Sequence, residues 1–373
     1  EAVMRARNRG RSRPVPEKVL TSQIRRFRQL RERLEGEGQL IVAAGQGVEP
    51  AHSPEARLSR ERQRQDPVGL RFYHQVSQFP ATGLEDWLTA LVVTAEDLGF
   101  AGVAVMDHLM QIPQVGRPFE SMPEAYTTLA FLAARTTRLQ LGALVSGVTL
   151  RNPALLAKMV ATLDVLSGGR AYCGIGAGWF SAEQRSYGFP SLAPGQRLAA
   201  LEDALHILPV MWGPGQASYV GRMTTIAEAV CYPRPLGKVP IIVGGRGPRL
   251  IDHAARLADG INLATADLDR LLPLVESAKE KWHRPEVEVS VLDIPLVARH
   301  RNEVAELVER HRGSHSAAVF AQRHHAGDID LHIGRYRAMA ERGVEAIFLA
   351  PVGLNQPEDL APLGTLIEAF SRS

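Results

Sequence analysis

One stretch of the chain, residues 151–179 (RNPALLAKMVATLDVLSGGRAYCGIGAGW), limits the fold more than any other. It reads as a helix, a tight turn, a buried strand and a glycine-rich strand exit in immediate succession. Asn152 is a good N-cap, and Pro153 fits the first helical turn, where its missing N–H costs nothing. Leu155, Leu156, Met159, Val160, Leu163 and Leu166 recur at helical spacing, which predicts one apolar stripe laid on a sheet. Ser167-Gly168-Gly169 ends that helix. The short apolar run 171–175 then predicts a parallel strand covered on both faces. Gly174, Gly176 and Gly178 follow at alternate positions. They either let a flat ligand approach the backbone or let helix and strand pack closely.

The GxGxG spacing is not the GxGxxG dinucleotide fingerprint, and no acidic residue about twenty positions on ends a second strand, so a Rossmann fold is disfavoured. No GxxxxGK[ST] loop occurs in the sequence. With 373 residues and 45% hydrophobic content, the chain suits one large α/β domain plus an appendage. No apolar run reaches membrane-spanning length, and the first twenty residues carry arginines without an apolar segment. Two cysteines, Cys173 and Cys231, make neither a disulfide framework nor a thiolate metal site. A soluble cytoplasmic protein is the expectation, with no membrane partner.

Charge divides the chain. Residues 1–66 carry 15 Lys/Arg against 9 Asp/Glu, while the remainder carries 28 against 31. A basic arm can touch nucleic acid or anionic lipid, but here arginines alternate with glutamates and few aromatic rings are offered for base stacking. Nucleic acid is therefore not the expected partner. Within the arm, residues 5–13 have a disordered composition, and the pattern from Pro16 through Leu20, Ile24, Phe27, Leu30 and Leu34 predicts one amphipathic helix. The polar, irregular stretch 35–67 follows. Two domains are expected: the extension 1–66 and a barrel over 67–373.

From Leu70 a βα rhythm begins. Strands are predicted over 70–79, 102–106, 139–145, 171–175, 240–243, 260–263, 287–297 and 346–350. Helices fall between them, at 84–98, 123–136, from Pro153, at 197–212, up to Leu257, at 268–281 and at 333–342, with a closing helix through Phe370. Eight alternations favour a (β/α)8 TIM barrel over an open sheet. Residues 213–239 read as a loop, and 298–330 break the rhythm. His311, His315, His324 and His325 match no standard zinc spacing, so the expectation is no metal and a flexible pocket cover there.

Five segments then match together: AEDLGFAGVAVMDHL, LGALVSGVTLRNP, ATLDVLSGGR, GIGAGWFSAEQRSYGFP and IIVGGRGPRLIDHAARLADGINL. In this order they resemble the luciferase-like monooxygenase superfamily, most closely its branch of coenzyme F420-dependent oxidoreductases, from about Leu70 to the C-terminus. The segment RSRPVPEKVLTSQIRRF separately resembles the end of small P-loop kinases, without their phosphate loop. The first resemblance implies hydride transfer between a deazaflavin and an unknown small-molecule substrate, in a homodimer. FMN-dependent monooxygenation and a non-catalytic flavin-binding barrel are the alternatives.

The resemblance also implies site residues. Asp107 and His108 end the second strand beside the redox ring, with His108 donating a hydrogen bond or proton to substrate, unless it merely caps the following loop. Leu144 and Val145 stand where deazaflavin relatives carry a cis peptide bond bulging against the ring, an ordinary strand end being the alternative. Gly176, Gly178 and Trp179 would line the ring. Some relatives place a glutamate acid at the position of Trp179, so here the indole becomes a stacking wall or substrate cover. Glu183 would cap or bond a ribityl hydroxyl, unless it is simply solvated. Gly244, Gly245, Arg246 and Gly247 end a strand and open a helix, offering N–H groups and a positive dipole end to the coenzyme phosphate, or else forming a plain turn. Gln75 on the first strand is expected beside the substrate.

Overall fold

The strand read at 171–175 is one of eight parallel staves that close into a ring in the computed structural model, which describes residues 69–371. The extension 1–66, with its expected helix and kinase-like segment, lies outside the described residues. In chain order the strands begin with β1 (Arg71–Val76), β2 (Gly102–Val105), β3 (Gln140–Ala143), β4 (Ser146–Gly147) and β5 (Cys173–Gly176). An outlying hairpin of β6 (Ala217–Val220) and β7 (Thr225–Ala229) precedes β8 (Ile241–Gly244), β9 (Gly260–Ala264) and β10 (Glu288–Asp293). A short pair, β11 (Val297–Ala298) and β12 (Gly327–Asp328), precedes β13 (Ala346–Leu349).

The ring runs β3-β2-β1-β13-β10-β9-β8-β5-β4. β3 and β4 are two halves of one stave, interrupted at Leu144–Val145, whose peptide bond is cis. A bridge between Leu141 and Ala171 and the pairing of β4 with β5 complete the closure. Parallel strands need crossover connections, and helices supply them: α1 (Leu84–Asp97), α2 (Ala125–Arg135), α3 (Pro153–Leu166), α4 (Ser181–Ser186), α5 (Pro194–Trp212), α6 (Pro248–Leu257), α7 (Leu268–Trp282), α8 (Val304–His311), α9 (Ala317–Arg323), α10 (Ile329–Glu341) and α11 (Ala361–Ser371). The TIM-barrel expectation therefore holds.

Side chains from alternate strand positions fill the interior, as in a packed barrel rather than a pore. Tyr73 and Phe348 stack at 4.5 Å, and Tyr172 meets them edge-on at 6.0 and 6.2 Å. The Tyr73 hydroxyl donates to Gln140 Oε1 at 2.5 Å. Burial pushes the Tyr73 phenol up to about 12. The outer faces of the staves pack Phe72, Val103, Leu141, Ile175, Val243, Ile261, Val289 and Ile347 under the helices.

α3 starts as expected, with Asn152 accepting from the N–H groups of Ala154 and Leu155. Its predicted stripe needs correction. Leu156, Val160 and Leu163 are buried, but Leu155 and Leu166 are 55% and 62% exposed, because small Ala157 and Ala161 and the buried Asp164 turn the inward face away from them. Residues 213–239, expected as a loop, carry the hairpin β6/β7. Its turn is held from a distance, by the Asp203 carboxylate of α5 accepting from the N–H groups of Arg222, Met223 and Thr224 at 3.1, 2.6 and 2.8 Å. Residues 298–330, where the predicted rhythm breaks, contain α8 and α9, packed around Leu296, Val308 and Phe320 as a small satellite core.

Candidate active site

The C-terminal ends of the staves meet the longest loops, which is where a barrel of this kind builds its chemistry. β2 exits into Asp107 and His108. The Asp107 carboxylate is buried and accepts two bonds from Arg151, Nε at 2.8 Å and Nη2 at 2.6 Å. Arg151 Nη2 also lies 2.6 Å from Glu124 Oε1. Burial works to lower the Arg151 pKa, but the bonds and charges of Asp107 and Glu124 outweigh it and hold its proton firmly. Burial likewise disfavours the charged Glu124. The N–H groups of Thr127 and Tyr126, with Arg151, nevertheless keep its carboxyl below the usual carboxylate range. Asp107 is thus the anchor of a charged cluster that fixes β2 against the turn before α3. Asp107, expected beside the cofactor, has each of its carboxylate oxygens bonded to Arg151.

His108 is placed by a neighbour from β5's far side. Its Nδ1 stands 3.1 Å from Glu183 Oε2 and 3.2 Å from Oε1. Glu183, on α4, is 1% exposed and also accepts from Leu109 N–H at 2.5 Å and Met110 N–H at 3.4 Å. A carboxylate accepts, so Nδ1 carries the hydrogen and Nε2 of the neutral ring keeps a lone pair. Glu183 is thereby committed to His108 and its loop. Through Oε1 it caps the loop N–H groups of Leu109 and Met110, and it holds the His108 ring at the same time. Trp179 and Phe180 stack at 5.1 Å and present edges to the His108 ring at 5.7 and 6.1 Å. Trp179 remains half exposed, as a wall would.

The glycines at the strand exits make room for side chains. A Cβ on Gly176 would lie 2.8 Å from Val145 Cγ2, and one on Gly244 would lie 2.7 Å from Val145 Cγ1. A Cβ on Gly178 would lie 2.4 Å from Thr149 Oγ1. The cis Leu144–Val145 segment therefore brings the Val145 methyls over the space that Gly176 and Gly244 leave open. This refines the expectation of bare main chain: the surface at this point is an isopropyl group seated on glycines. Thr149 in turn accepts from the buried Gln184 amide at 3.0 Å.

β8 leaves the ring through Gly244 and Gly245, and α6 begins after Gly247, which has φ 116°. Gly247 supplies no side-chain cap, so the first-turn N–H groups of α6 point outward with the positive end of the helix dipole. Arg246 is 79% exposed on its side chain, with Asp267 3.9 Å away. An anion seat is the chemistry this turn offers.

Gln75 is 4% exposed, and neither its amide oxygen nor its amide nitrogen finds a partner among the described residues. Strand alternation sends it to the same side as Tyr73, toward the mouth end of the interior. Its neighbour His74, also buried with Nδ1 unpartnered, is pushed down to about 4 by burial. Among the described residues no group of three or more His, Cys, Asp or Glu is placed to hold a metal ion. His324 Nδ1 instead meets the Ile294 carbonyl at 2.9 Å. Sequence reasoning missed Arg151 and Thr149, in the turn before Asn152, and Glu124, the N-cap of α2, which carried only helix-start signals.

The luciferase-like monooxygenase family profile matches residues 77–360. Curated relatives include the F420-dependent glucose-6-phosphate dehydrogenases of Kineococcus radiotolerans and Microbacterium testaceum. Each is 31% identical, over 60% and 62% of this chain and 66% and 69% of the relative. The chain thus spans about two thirds of their length. Among solved structures, an F420-dependent secondary alcohol dehydrogenase superposes with TM-score 0.68 at 18% identity, covering 81% of this chain and 99% of that one. The EDTA monooxygenase of Chelativorans sp. BNC1 superposes with TM-score 0.69 at 15% identity, covering 82% and 94%. These neighbours share the barrel. Since the profile spans every stave after β1, this chain belongs to the luciferase-like monooxygenase family.

Proposed function

We propose that this protein is an F420-dependent oxidoreductase that moves a hydride between the deazaflavin and a small organic alcohol or carbonyl compound. The observation that carries the reading is His108 held through Nδ1 by buried Glu183, so that Nε2 is left for a substrate oxygen. The names of the curated relatives and of the secondary alcohol dehydrogenase supply the coenzyme.

The residues present fit such a group. The Gly176/Gly244 cradle filled by Val145 gives an apolar seat for a planar ring, and the uncapped start of α6 with Arg246 and Gly247 suits its phosphate. Leu144, Gly178, Trp179 and Gly245 complete the surroundings. The chemistry F420 supplies when bound is two-electron hydride exchange at a ring carbon, without the nitrogen through which flavins activate oxygen. The chain's own part is orientation and proton handling. Nε2 of His108 takes the proton of a substrate hydroxyl, or returns it to a carbonyl oxygen in the reverse direction, while Glu183 holds the ring and stabilises the imidazolium. Trp179 and Phe180 exclude water from one side of that imidazole.

The division at residue 66 belongs to the same reading, since β1 begins at Arg71 and the profile at 77. So does a cytoplasmic homodimer: among the described residues no helix is long and apolar enough to cross a membrane, and α3 exposes Leu155 and Leu166. Fluorescence titration of the purified chain with F420 and with FMN tests the assignment. Tighter F420 binding is expected, and FMN affinity equal to or above it would reverse it.

A further inference from the structure

The chain that carries His108 leaves the sheet early. β2 ends at Val105, and Met106 N–H still reaches the Val76 carbonyl at 3.3 Å, but residues 108–110 make no backbone–backbone hydrogen bond among the described residues. Side chains must hold this segment instead, and two from one end of α4 do so. Glu183 accepts from Leu109 N–H at 2.5 Å, and the Tyr187 hydroxyl donates to the Leu109 carbonyl at 2.7 Å. Both peptide units flanking Leu109 are thus gripped.

The grip is set by how α4 stops. Glu183 and Tyr187 lie one helical turn apart, so their side chains leave the same face, and Tyr187 N–H closes on the Glu183 carbonyl at 3.1 Å. Gly188 follows with φ 73°, the left-handed conformation that ends a helix. Its N–H meets the Arg185 carbonyl at 3.2 Å, and Phe189 N–H meets the Gln184 carbonyl at 2.8 Å, the bond pair of a Schellman stop. The buried Gln184 amide, donating to Thr149 Oγ1 at 3.0 Å, ties the same helix to the turn before α3. The Tyr187 ring is half exposed, yet it stands on a fixed platform that aims its hydroxyl at Leu109, so the bond forms with little further loss of freedom.

The consequence reaches the imidazole. Glu183 accepts from Leu109 N–H and from His108 Nδ1 together, so the backbone at Leu109 and the ring of His108 share one anchor. Without the Tyr187 hydroxyl the Leu109 carbonyl is released, the segment can turn about its peptide units, and both donors loosen from the carboxylate. We infer that Tyr187 is a positioning residue: acting through the Leu109 backbone, it keeps His108 Nδ1 on Glu183 and leaves Nε2 for the substrate oxygen. The inference rests on the reading of His108 as the proton-handling residue and deepens it.

Tyr187→Phe in the full chain tests it, since the change removes the hydroxyl and keeps the ring. Amide hydrogen exchange at Leu109 is expected to quicken about tenfold, the worth of one hydrogen bond. 15N NMR of the imidazole is expected to show His108 passing from the Nδ1–H tautomer to a mixture of the two, a change that a role confined to the fold of α4 would not produce. Ser186→Ala is the comparison, at the same end of α4, where the hydroxyl turns back to the Ala182 carbonyl at 3.0 Å. It is expected to leave both readings as they are in the unaltered protein. A Tyr187→Phe protein in which either the Leu109 exchange or the His108 tautomer is unaltered overturns the inference. So does a Ser186→Ala protein that reproduces both changes, because the helix end and not the phenol would then be responsible. Failure of F420 to bind the unaltered chain in a fluorescence titration would instead overturn the oxidoreductase reading beneath it, so the two failures are told apart.

Discussion

Replacing Glu183 separates its structural role from its role toward His108. Glu183→Ala removes the acceptor for Leu109 N–H, Met110 N–H and His108 Nδ1–H in a buried setting. At about 1 kcal/mol for each net bond, the loss is about 3 kcal/mol. Glu183→Gln has the same shape. Its oxygen must stay toward Leu109 N–H, the closest donor, which turns the amide NH2 toward His108 Nδ1. The expected cost is below about 1.5 kcal/mol, because only the charge assistance is lost. The imidazole then favours the other tautomer, with the hydrogen on Nε2, where it can no longer take a proton from a hydroxyl. Oxidation of an alcohol substrate is expected to slow by about a hundred- to ten-thousand-fold, with F420 affinity unchanged. Urea unfolding gives the stability of both variants, and 15N NMR of the imidazole gives the tautomer. A Glu183→Gln protein with His108 still protonated on Nδ1, or with undiminished turnover, would refute the reasoning.

Four further outcomes are expected. Gly244→Ala, which sets a Cβ 2.7 Å from Val145 Cγ1, should cost about 1–3 kcal/mol by urea unfolding and weaken F420 binding, whereas Gly244→Ala with Val145→Ala should recover part of both. Arg246→Glu should weaken F420 at least tenfold in the fluorescence titration while leaving the melting temperature unchanged, because the side chain is exposed. His74 and His332 are both held near 4 by burial, below the ordinary value of 6.5. The unfolded chain therefore binds more protons as pH falls through 6.5, and stability should decline from there down to about pH 4, by up to about 3 kcal/mol for each buried imidazole. Urea unfolding across that window checks it, and His74→Phe should flatten the slope. A chain lacking residues 1–66 should remain folded and bind F420 with unchanged affinity, measured by circular dichroism and titration.

What the sequence disclosed follows from the range over which each signal acts. The Asn152 cap and the alternation of helices and staves are local, set by residues within a turn or a strand of one another, and the barrel could be read from them. The helix-start turn at Gly244–Gly247 and the pair Asp107-His108 were visible for the same reason. Roles were less legible than places. Asp107 answers to Arg151 and Glu183 to His108, partners 44 and 75 residues away. Only closure of the ring brings them together. The β6/β7 hairpin was hidden in the same way, because the group that shapes its turn is Asp203 on the preceding helix. The glycine run left two alternatives open, ligand approach or close packing, and which groups come close, Val145 and Thr149, is again decided by distant parts of the chain.

The central claim is that the mouth of this barrel seats a deazaflavin between the Val145 surface and the start of α6. A crystal structure of the protein grown with F420 tests it most directly. Density for the ring against Val145 with the phosphate at the N–H groups after Gly247 is the expected result. A coenzyme bound elsewhere, or a phosphate away from α6 and Arg246, would contradict it.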